Sequence, residues 1–559
     1  MAHQEWDTTV DLLVVGSGAG GMTTALTAAA RGMSTMIVEK ADVYGGNTAL
    51  SGGGVWIPNN PVLAAEGIVD PADSVLEYLR SITGGVVPEE RLRAYVETGP
   101  DAFRFLQEAS EHMRFVWCSG YSDYHPENPG GRPDGRSVEP EPIDILELGE
   151  DADRLRQADL AIPPGLWMTQ REFRDMTMMM RTGEGRRMAL TAACRMATGL
   201  FRRRKIVALG TALVTRLRLA LRDQGVPLWL GSPLSALVTG DNGDVIGAEI
   251  VRHGVAHRIR ATRGVVMATG GFEFDDNLRS QHLPAGGVEN FSAGAPSNTG
   301  DGHAAGTAVG ADLALMDDAW WMPAIRLPDD SVVCLVSERA IPRALILDGS
   351  GRRFTNEASP YVNFVHTQIE GGHDPVWFIM DATAKRRYQF GGIMPGQPFP
   401  KAWYRSGLVH RADTPAALAR SIGLPPEQVD LSLARYNELA RSGRDSDFGR
   451  GESAYDRYYG DDSLSNPVLD EVTDGPFYGI RVVAGDLGTK GGLRCDESSR
   501  VLREDGSVID GLYATGNCSA AVMGHDYAGP GATIGPAMVF GWIAATHASE
   551  NPVGHLLPR

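Results

Sequence analysis

The sequence has few cysteines, no long apolar run and a deficit of positive charge, and each shortage excludes a class of protein. Five cysteines are scattered over 559 residues without a CxxC pair, which fits a reducing compartment and speaks against a disulfide framework or a zinc site. No run of 18 apolar residues occurs, and the first ten residues lack the basic and apolar parts of a signal peptide. Lys and Arg number 52 against 70 Asp and Glu, a net charge of −18, which disfavours nucleic-acid binding. We therefore expect a cytoplasmic protein without a transmembrane helix.

Glycine, by contrast, is abundant and clustered, which indicates a backbone that approaches a ligand at several points. There are 68 glycines, about 12% of the chain against a usual 7%, and they show no regular period. The first cluster follows residues 11–15, an apolar run that we interpret as a buried parallel strand. The segment of small residues after it is predicted to be a helix ending at Gly32, and residues 34–39 a second strand. Together they predict a βαβ unit.

The glycines between the first strand and the helix have the spacing of a dinucleotide-binding turn. Gly16 fits the tight turn, Gly18 lets the backbone approach a pyrophosphate, and Gly21 lets helix and strand pack closely. The helix N-terminus offers amide groups to the phosphates. Glu39, at the end of the second strand, can accept hydrogen bonds from ribose hydroxyls. A purely structural turn is the weaker interpretation, because strand, helix and acid are all in place.

Three further glycine-rich signals favour FAD over a nicotinamide cofactor. Residues 45–54 form a second glycine-rich loop directly after the second strand, where a nicotinamide enzyme would continue with alternating strands and helices. Residues 263–271 have the pattern of an apolar strand ending in ATGG. Residues 510–517 have the pattern of another strand ending in glycine, which would close the flavin site. We therefore predict an α/β flavoprotein with a Rossmann-like FAD-binding domain.

The remaining segments predict an inserted second domain. Residues 1–292 and 489–559 are assigned to the FAD-binding domain and residues 293–488 to an α+β catalytic domain. The insert would cover the flavin ring and leave a substrate slot at the interface, a usual place for a site.

A basic, methionine-rich excursion at residues 145–205 interrupts the first domain. Residues 171–205 carry ten Arg or Lys and three acids, and seven of the 19 methionines lie between Met168 and Met196. The helical apolar spacing with basic flanks is typical of a helix that lies on an anionic membrane surface. The alternative is a segment that packs on the body of the protein or on another subunit.

Motifs spread over nearly the whole chain resemble the fumarate-reductase-like FAD flavoproteins, and within them the bacterial 3-ketosteroid Δ1-dehydrogenases. The motifs of the wider superfamily are VVGSGAGG, VEKADVYGGNTALSGGGVWIPNN, VVMATGGFE, NTGDGH, GRRFTNE, DLGTKGG and GLYATGN. Those of the narrower family are SGGGVWIPNN, SDYHPE, AWWMP, GRRFTNEASPY, DLGTKGGL and GHDYAGPGATIGPAM. The resemblance implies non-covalently bound FAD and removal of two hydrogens across C1–C2 of the A ring of a 3-ketosteroid.

The resemblance also assigns roles to residues. Tyr361 is similar to the base that takes the C2 proton, and Tyr124 to the tyrosine beside it. Tyr527 and the Gly531 amide would bind the C3 carbonyl oxygen. The positions expected to hold FAD are Gly16, Ser17, Gly18, Ala19, Gly20, Gly21, Glu39, Lys40, Gly46, Asn47, Thr48, Ser51, Gly52, Gly53, Gly54, Ala268, Thr269, Gly270, Asp301, Gly516, Asn517, Ala532 and Ile534. The electron acceptor is interpreted as a quinone.

These residue types suit the chemistry. The C2 proton becomes acidic only because the C3 carbonyl can form an enolate, and two donors aimed at that oxygen stabilise the charge where it develops. A free tyrosine has a pKa near 10, so a tyrosine base needs activation by its neighbours. Hydride then passes from C1 to flavin N5, the redox step that the cofactor supplies.

Other residues receive minor or competing roles. Trp320 and Trp321 are interpreted as core or slot walls, His303 as a hydrogen-bonding residue near the domain junction, and His525 as a residue that shapes the site loop. No HExxH motif is present, so no metal is expected. The competing functions are a dehydrogenase acting at C4–C5, a fumarate-type reductase using Arg352 and Arg353, and a non-catalytic flavin protein.

Overall fold

The computed structural model describes residues 5–157, 166–202 and 204–551. The ends of the predicted FAD-binding domain, and residues 158–165 and 203 of the 145–205 excursion, lie outside the described residues. The strands of the described chain are β1 (Thr8–Val15), β2 (Thr35–Val38), β3 (Val55–Trp56), β4 (Phe115–Trp117), β5 (Ser137–Pro140), β6 (Ile143–Asp144), β7 (Ile206–Val207), β8 (Leu228–Trp229), β9 (Leu234–Thr239), β10 (Val245–Arg252), β11 (Val255–Met267), β12 (Leu313–Ala314), β13 (Ala319–Arg326), β14 (Val332–Cys334), β15 (Ala344–Leu347), β16 (Val376–Met380), β17 (Val409–Ala412), β18 (Phe477–Thr489), β19 (Gly492–Leu493), β20 (Arg500–Leu502) and β21 (Val508–Ala514).

The helices connect these strands and cover their sheets. They are α1 (Ala19–Ala30), α2 (Gly46–Leu50), α3 (Pro61–Ala65), α4 (Ala72–Thr83), α5 (Glu89–Ala109), α6 (Gln170–Thr177), α7 (Gly183–Arg202), α8 (Leu209–Asp223), α9 (Asp276–His282), α10 (Asp301–Ala308), α11 (Tyr361–Glu370), α12 (Ala382–Arg387), α13 (Lys401–Arg405), α14 (Pro415–Ser421), α15 (Pro426–Ser442), α16 (Ala454–Tyr458) and α17 (Ile534–Glu550). Segments of 3-10 helix occur at Ile145–Arg154, which is interrupted at Gly149, and at Ala285–Gly287, Glu338–Ala340 and Gly516–Cys518.

The first sheet has the strand order β20-β21-β11-β1-β2-β8, and β9 and β10 extend it through β11. β21, β11, β1, β2 and β8 run parallel. The predicted βαβ unit is present, and β1 begins earlier than predicted because Thr8 and Thr9 pair with β11 before the buried apolar run starts. β11 is likewise longer than predicted, since its first half forms an antiparallel hairpin with β10. A helix, α2, lies inside the segment predicted as a continuous loop.

The C-terminal helix completes this domain by packing on α1. Gly541 of α17 lies so close to α1 that an added Cβ would be 2.6 Å from the Gly20 carbonyl oxygen. The two backbones can approach only because neither residue has a side chain. α17 also packs on β11 and β21, so α1 and α17 lie side by side against the sheet. α1 begins directly after β1, which places its N-terminus at the carboxyl end of that strand.

The second sheet has six antiparallel strands in the order β14-β13-β18-β16-β15, with β17 paired to β18. All of its residues lie between Ala319 and Thr489. It therefore falls within the segment predicted as the catalytic insert, apart from one residue, and the domain boundaries themselves remain a prediction.

The basic, methionine-rich segment forms α6 and α7, and part of its charge is used on the protein. Arg174 donates to the Tyr458 carbonyl oxygen over 2.6 Å and pairs with Asp462. Arg181 pairs with Asp461. The segment is therefore tied to the second domain, while other side chains of α7 stay exposed. No helix in the described parts of the chain is long and apolar enough to cross a bilayer.

Candidate active site

A cavity of about 560 Å³ lies at the carboxyl ends of β1, β2, β11 and β21 and extends to the second sheet. This is the place where open parallel sheets bind ligands, and the volume is typical of a cofactor or substrate site. All the predicted cofactor positions line it except Ala532. Ala532 is fully buried and donates its amide to the Gly529 carbonyl oxygen, so it supports the loop from behind.

The phosphate-binding part of the cavity has the open backbone that a dinucleotide needs. At Gly18 the nearest atom to an added Cβ is the Thr48 hydroxyl oxygen, 3.7 Å away, and at Gly46 it is the Gly18 Cα, also 3.7 Å away. A side chain at either position would therefore project into the cavity. The first amides of α1 have no intrahelical partner, and that of Ala19 donates to Thr48. The residues present thus fit the pyrophosphate of FAD.

Glu39 and Lys40 lie at the adjacent strand end. The Glu39 carboxylate accepts from the Ser17 amide over 3.1 Å, from the Ser17 hydroxyl and from the Ala41 amide. A carboxylate has about four acceptor sites, so capacity remains for a ribose hydroxyl. The Lys40 ammonium forms a 2.8 Å ion pair with Asp301, the first residue of α10. This pair joins the NTGDGH motif to the end of β2.

A buried polar network connects the second glycine-rich segment to the start of the insert. The Asn47 and Asn298 amides donate to the Glu273 carboxyl group over 2.8 and 2.7 Å. Burial raises the Glu273 pKa to about 7, although both hydrogen bonds oppose the shift. Asn298 lines the cavity and was not predicted as a site residue, although it opens the quoted NTGDGH motif.

Three of the predicted catalytic residues form a compact tyrosine cluster. The Tyr124 hydroxyl donates to the Tyr361 hydroxyl oxygen over 2.7 Å. The Tyr527 ring centroid lies 5.1 Å from that of Tyr124 and 5.5 Å from that of Tyr361. All three side chains are buried and line the cavity. Burial raises the pKa of each phenol, most strongly at Tyr124 and Tyr361.

The fourth predicted catalytic residue, Gly531, lies against the second glycine-rich segment. Its φ of +91° favours glycine, and an added Cβ would be 2.2 Å from the Gly54 carbonyl carbon. The Trp56 amide donates to the Gly531 carbonyl oxygen over 3.2 Å. Nearby, Thr533 forms a 2.7 Å hydrogen bond with the Tyr527 hydroxyl. The loop is thereby fixed at both ends of the Tyr527–Gly531 segment.

The other residues singled out in the sequence, Trp320, His303 and His525 among them, do not line the cavity. Trp320 packs behind Tyr527 at 4.8 Å and does not line the slot, contrary to one of its two interpretations. His303 bonds the Gly491 carbonyl oxygen over 3.0 Å. His525 points away to an exposed 3.4 Å pair with Asp317.

The arginines and histidines add no second chemistry. Arg353 pairs with Glu357 and Asp445, Arg352 is exposed, and neither lines the cavity. Among residues 5–157, 166–202 and 204–551, no three potential ligands gather as a metal site. The single HxxxH spacing, His253 and His257, spans the hairpin turn between β10 and β11.

Several lining residues had no local sequence signal. They come from α6, from the strands of the second sheet and from loops between them, and they reach the cavity only through the tertiary fold. They include Gln170, Phe173, Cys334, Glu338, Gln389 and Tyr459.

Comparison with known proteins agrees with this geometry. Residues 11–534 match the family described as FAD binding domain. The chain is 45% identical to a 3-oxosteroid 1-dehydrogenase of Mycolicibacterium smegmatis, covering 98% of this chain and 97% of that protein. It is 44% identical to one of Mycobacterium tuberculosis, covering 97% and 98%. The crystal structure of a 3-ketosteroid Δ1-dehydrogenase from Sterolibacterium denitrificans in complex with 1,4-androstadiene-3,17-dione superimposes with a TM-score of 0.92 at 38% identity, covering 97% of this chain and all of that one. The chain is therefore an FAD-dependent flavoprotein and belongs to the 3-oxosteroid 1-dehydrogenase family.

Proposed function

We propose that the chain dehydrogenates the A ring of a 3-ketosteroid between C1 and C2, with the tyrosine cluster as its catalytic machinery. The observation that carries this proposal is the 2.7 Å bond between Tyr124 and Tyr361 beside the Tyr527 ring, inside the cavity that the FAD-binding glycines line. Met322, Val333 and Val336 give part of the cavity wall an apolar surface, which suits the hydrocarbon body of a steroid.

Tyr361 takes the C2 proton in this mechanism. Its phenol is neutral in the free protein, because burial raises its pKa. The hydrogen bond from Tyr124 stabilises negative charge on the Tyr361 oxygen and so opposes the effect of burial. Tyr124 therefore shares the proton balance of the base.

Tyr527 and the Gly531 amide bind the C3 carbonyl oxygen and stabilise the enolate that forms as the C2 proton leaves. The 2.7 Å bond to Thr533 sets the position of the Tyr527 hydroxyl before substrate arrives. Bound FAD supplies the acceptor for the hydride from C1. The chain's own residues orient the ring, hold the proton and exclude water.

Anaerobic reduction tests this function directly. Purified yellow protein is mixed with 4-androstene-3,17-dione, and bleaching is followed as the loss of flavin absorbance. The molecular mass of the product is determined by mass spectrometry. We expect bleaching with the loss of two hydrogens to the 1,4-diene, and at least a hundredfold slower bleaching by Tyr361→Phe. Bleaching only by a 5α-steroid would indicate C4–C5 chemistry, and oxidation of the reduced flavin by fumarate would indicate a reductase. Either result would overturn the proposal.

We also propose that the exposed face of α7 rests on an anionic membrane at the inner face of the cell. Its Leu190 side chain is 67% exposed, and Arg186 and Arg187, in the preceding turn of the same helix, are exposed as well. Leu190→Glu should reduce cosedimentation with phosphatidylglycerol vesicles. Leu431→Glu, at a 64% exposed leucine on α15, should not. Equal cosedimentation of the two variants with the vesicles would refute the proposal that α7 contacts the membrane.

The electron acceptor in this proposal is a quinone, which would be available at the same surface. Anaerobically reduced protein should be reoxidised rapidly by a soluble naphthoquinone. Reoxidation no faster than with dioxygen alone would contradict this choice.

A further inference from the structure

Two of the three tyrosines, Tyr124 and Tyr527, belong to loops that are about 400 positions apart in the chain and meet at the cavity, while the proposed base Tyr361 begins α11. Tyr124 lies between β4 and β5, and Tyr527 lies in the loop before α17. The Tyr124 amide donates to the Ala528 carbonyl oxygen over 3.0 Å. The Tyr78 hydroxyl donates to the same carbonyl over 2.6 Å. The two loops are therefore in contact through their backbones as well as through the Tyr124 and Tyr527 rings.

His125 and Asp526 make a polar side-chain contact between these loops, in addition to the packing of the Tyr124 and Tyr527 rings. His125 Nε2 lies 2.9 Å from Asp526 Oδ1, and both side chains are more than four-fifths buried. An ionised carboxylate can only accept, so Nε2 carries the proton and donates. The hydrogen bond and charge of His125 lower the Asp526 pKa against the effect of burial, which keeps the carboxylate ionised. A charge-assisted bond of this kind is among the stronger hydrogen bonds in proteins.

The same Asp526 oxygen also orients the neighbouring tyrosine. Oδ1 accepts from the Tyr527 amide over 2.8 Å, so His125 fixes a carboxylate that in turn fixes the Tyr527 backbone. On the other loop, the His125 amide donates to the Tyr78 hydroxyl over 3.3 Å. The chain of contacts runs from one tyrosine loop to the other without entering the cavity, because neither His125 nor Asp526 lines it.

We infer that His125 and Asp526 are a positioning pair that sets the spacing between Tyr124, the hydrogen-bond partner of the base Tyr361, and the enolate-binding Tyr527. This rests on the proposed function. The base must reach C2 while the donors reach the oxygen on C3, two neighbouring carbons of one rigid ring. An error of about 1 Å in such an arrangement costs about a hundredfold in rate. The pair therefore acts on turnover more than on steroid binding, which depends on the whole cavity wall.

The test uses the full-length, FAD-loaded protein and single-turnover bleaching by 4-androstene-3,17-dione, normalised to bound FAD. His125→Ala should lower the limiting bleaching rate 10- to 100-fold and change the half-saturating steroid concentration less than threefold. His125→Gln retains an N–H that can reach Asp526 and should recover the rate to within about threefold of wild type. Asp526→Ala should slow bleaching at least as much as His125→Ala.

The double variant distinguishes a pair from two separate structural residues. His125→Ala combined with Asp526→Ala should be no slower than Asp526→Ala alone, because the contact is already lost. His525→Ala is the matched control, since its pair with Asp317 is 3.4 Å long and its two side chains are 43% and 71% exposed. Exposed pairs of this kind contribute little, so this variant should bleach within twofold of wild type.

The outcomes separate the two levels of inference. Absence of bleaching in the wild-type protein would remove the proposed function. Normal wild-type bleaching with an unaffected His125→Ala variant would overturn the positioning pair alone. Losses that multiply in the double variant, or an equal loss in His525→Ala, would also overturn it.

Discussion

Removing the Tyr527 hydroxyl is the sharpest test of the enolate-binding role, because the rest of the side chain can stay in place. Tyr527→Phe keeps the ring that packs 5.1 Å from Tyr124 and 4.8 Å from Trp320. It removes only the oxygen bonded to Thr533. Only proline would remove the Gly531 N–H, and its φ near −65° does not fit the φ of +91° at this position, so Tyr527 is the donor that can be tested.

The size of the effect follows from the number of donors and their burial. In the proposed mechanism two groups bind the C3 oxygen, and the loss of one donor in such a site costs about 10²–10³ in rate, or about 2.7–4 kcal/mol. Tyr527 is buried, so water does not replace the missing hydroxyl. We therefore expect the limiting rate of anaerobic flavin bleaching to fall by at least a hundredfold, with FAD content unchanged.

Tyr458→Phe provides the control for loss of a buried phenol hydroxyl. Tyr458 is buried and stacks on Tyr121 with ring centroids 4.2 Å apart, and its hydroxyl has no hydrogen-bond partner among the described residues. Bleaching by this variant should stay within twofold of wild type. A Tyr527→Phe variant within threefold of wild type, or a Tyr458→Phe variant that is equally slow, would refute the reasoning.

Three further predictions concern pH, the cofactor turn and stability. Burial raises the Tyr361 pKa, so its basic form is scarce at neutral pH and kcat/KM should rise about tenfold per pH unit between pH 6 and 9; a profile without this rise, or one unchanged in Tyr361→Phe, contradicts the role. Gly16→Ala would place a Cβ 2.1 Å from the Ala268 carbonyl oxygen, so the purified variant should lack FAD absorbance; a yellow variant with wild-type FAD content contradicts the tight turn. Burial raises the Glu139 pKa to about 8, so the native state holds this proton more tightly than the unfolded chain and wild-type stability falls as pH rises from about 4.5 to 8. Glu139→Gln, which can keep an acceptor for the Gln170 amide, should gain up to about 4 kcal/mol relative to wild type between pH 5 and 8, measured from urea unfolding; an equal pH dependence in both proteins would show that the group is not responsible.

Local patterns in the sequence predicted the parts of the fold that are determined locally. The βαβ unit from β1 to β2 was predicted because a buried strand, a glycine turn and a small-residue helix follow one another without interruption. The earlier start of β1 was not, since it depends on pairing between Thr8 and Ile259. Likewise α2 was missed because glycines at its start are typical of a loop, while Gly46 and Asn47 are in fact the first residues of a helix.

The candidate site shows the same division. Tyr124, Tyr361, Tyr527 and Gly531 were chosen by motif, and the fold brings all four to the cavity, although their roles remain proposals. The His125–Asp526 contact had no sequence signal, because nothing in either motif indicates which histidine faces which acid. The basic charge of residues 171–205 was also ambiguous from composition, and the ion pairs of Arg174 and Arg181 with the second domain arise only from the tertiary structure.

The pairing of β21 with β11, and the packing of α17 on α1, set a lower limit on when a ribosome-bound chain can load its cofactor. About 240 residues separate the end of β11 from the start of β21. At a synthesis rate of roughly 5–20 residues per second, the edge of β11 stays without its final partner for roughly 10–50 s. An open strand edge invites pairing with other chains, and Gly516 and Asn517 reach the cavity only after β21 has formed. Chaperone demand in a producing cell should therefore depend on the synthesis of this last segment more than on the supply of FAD.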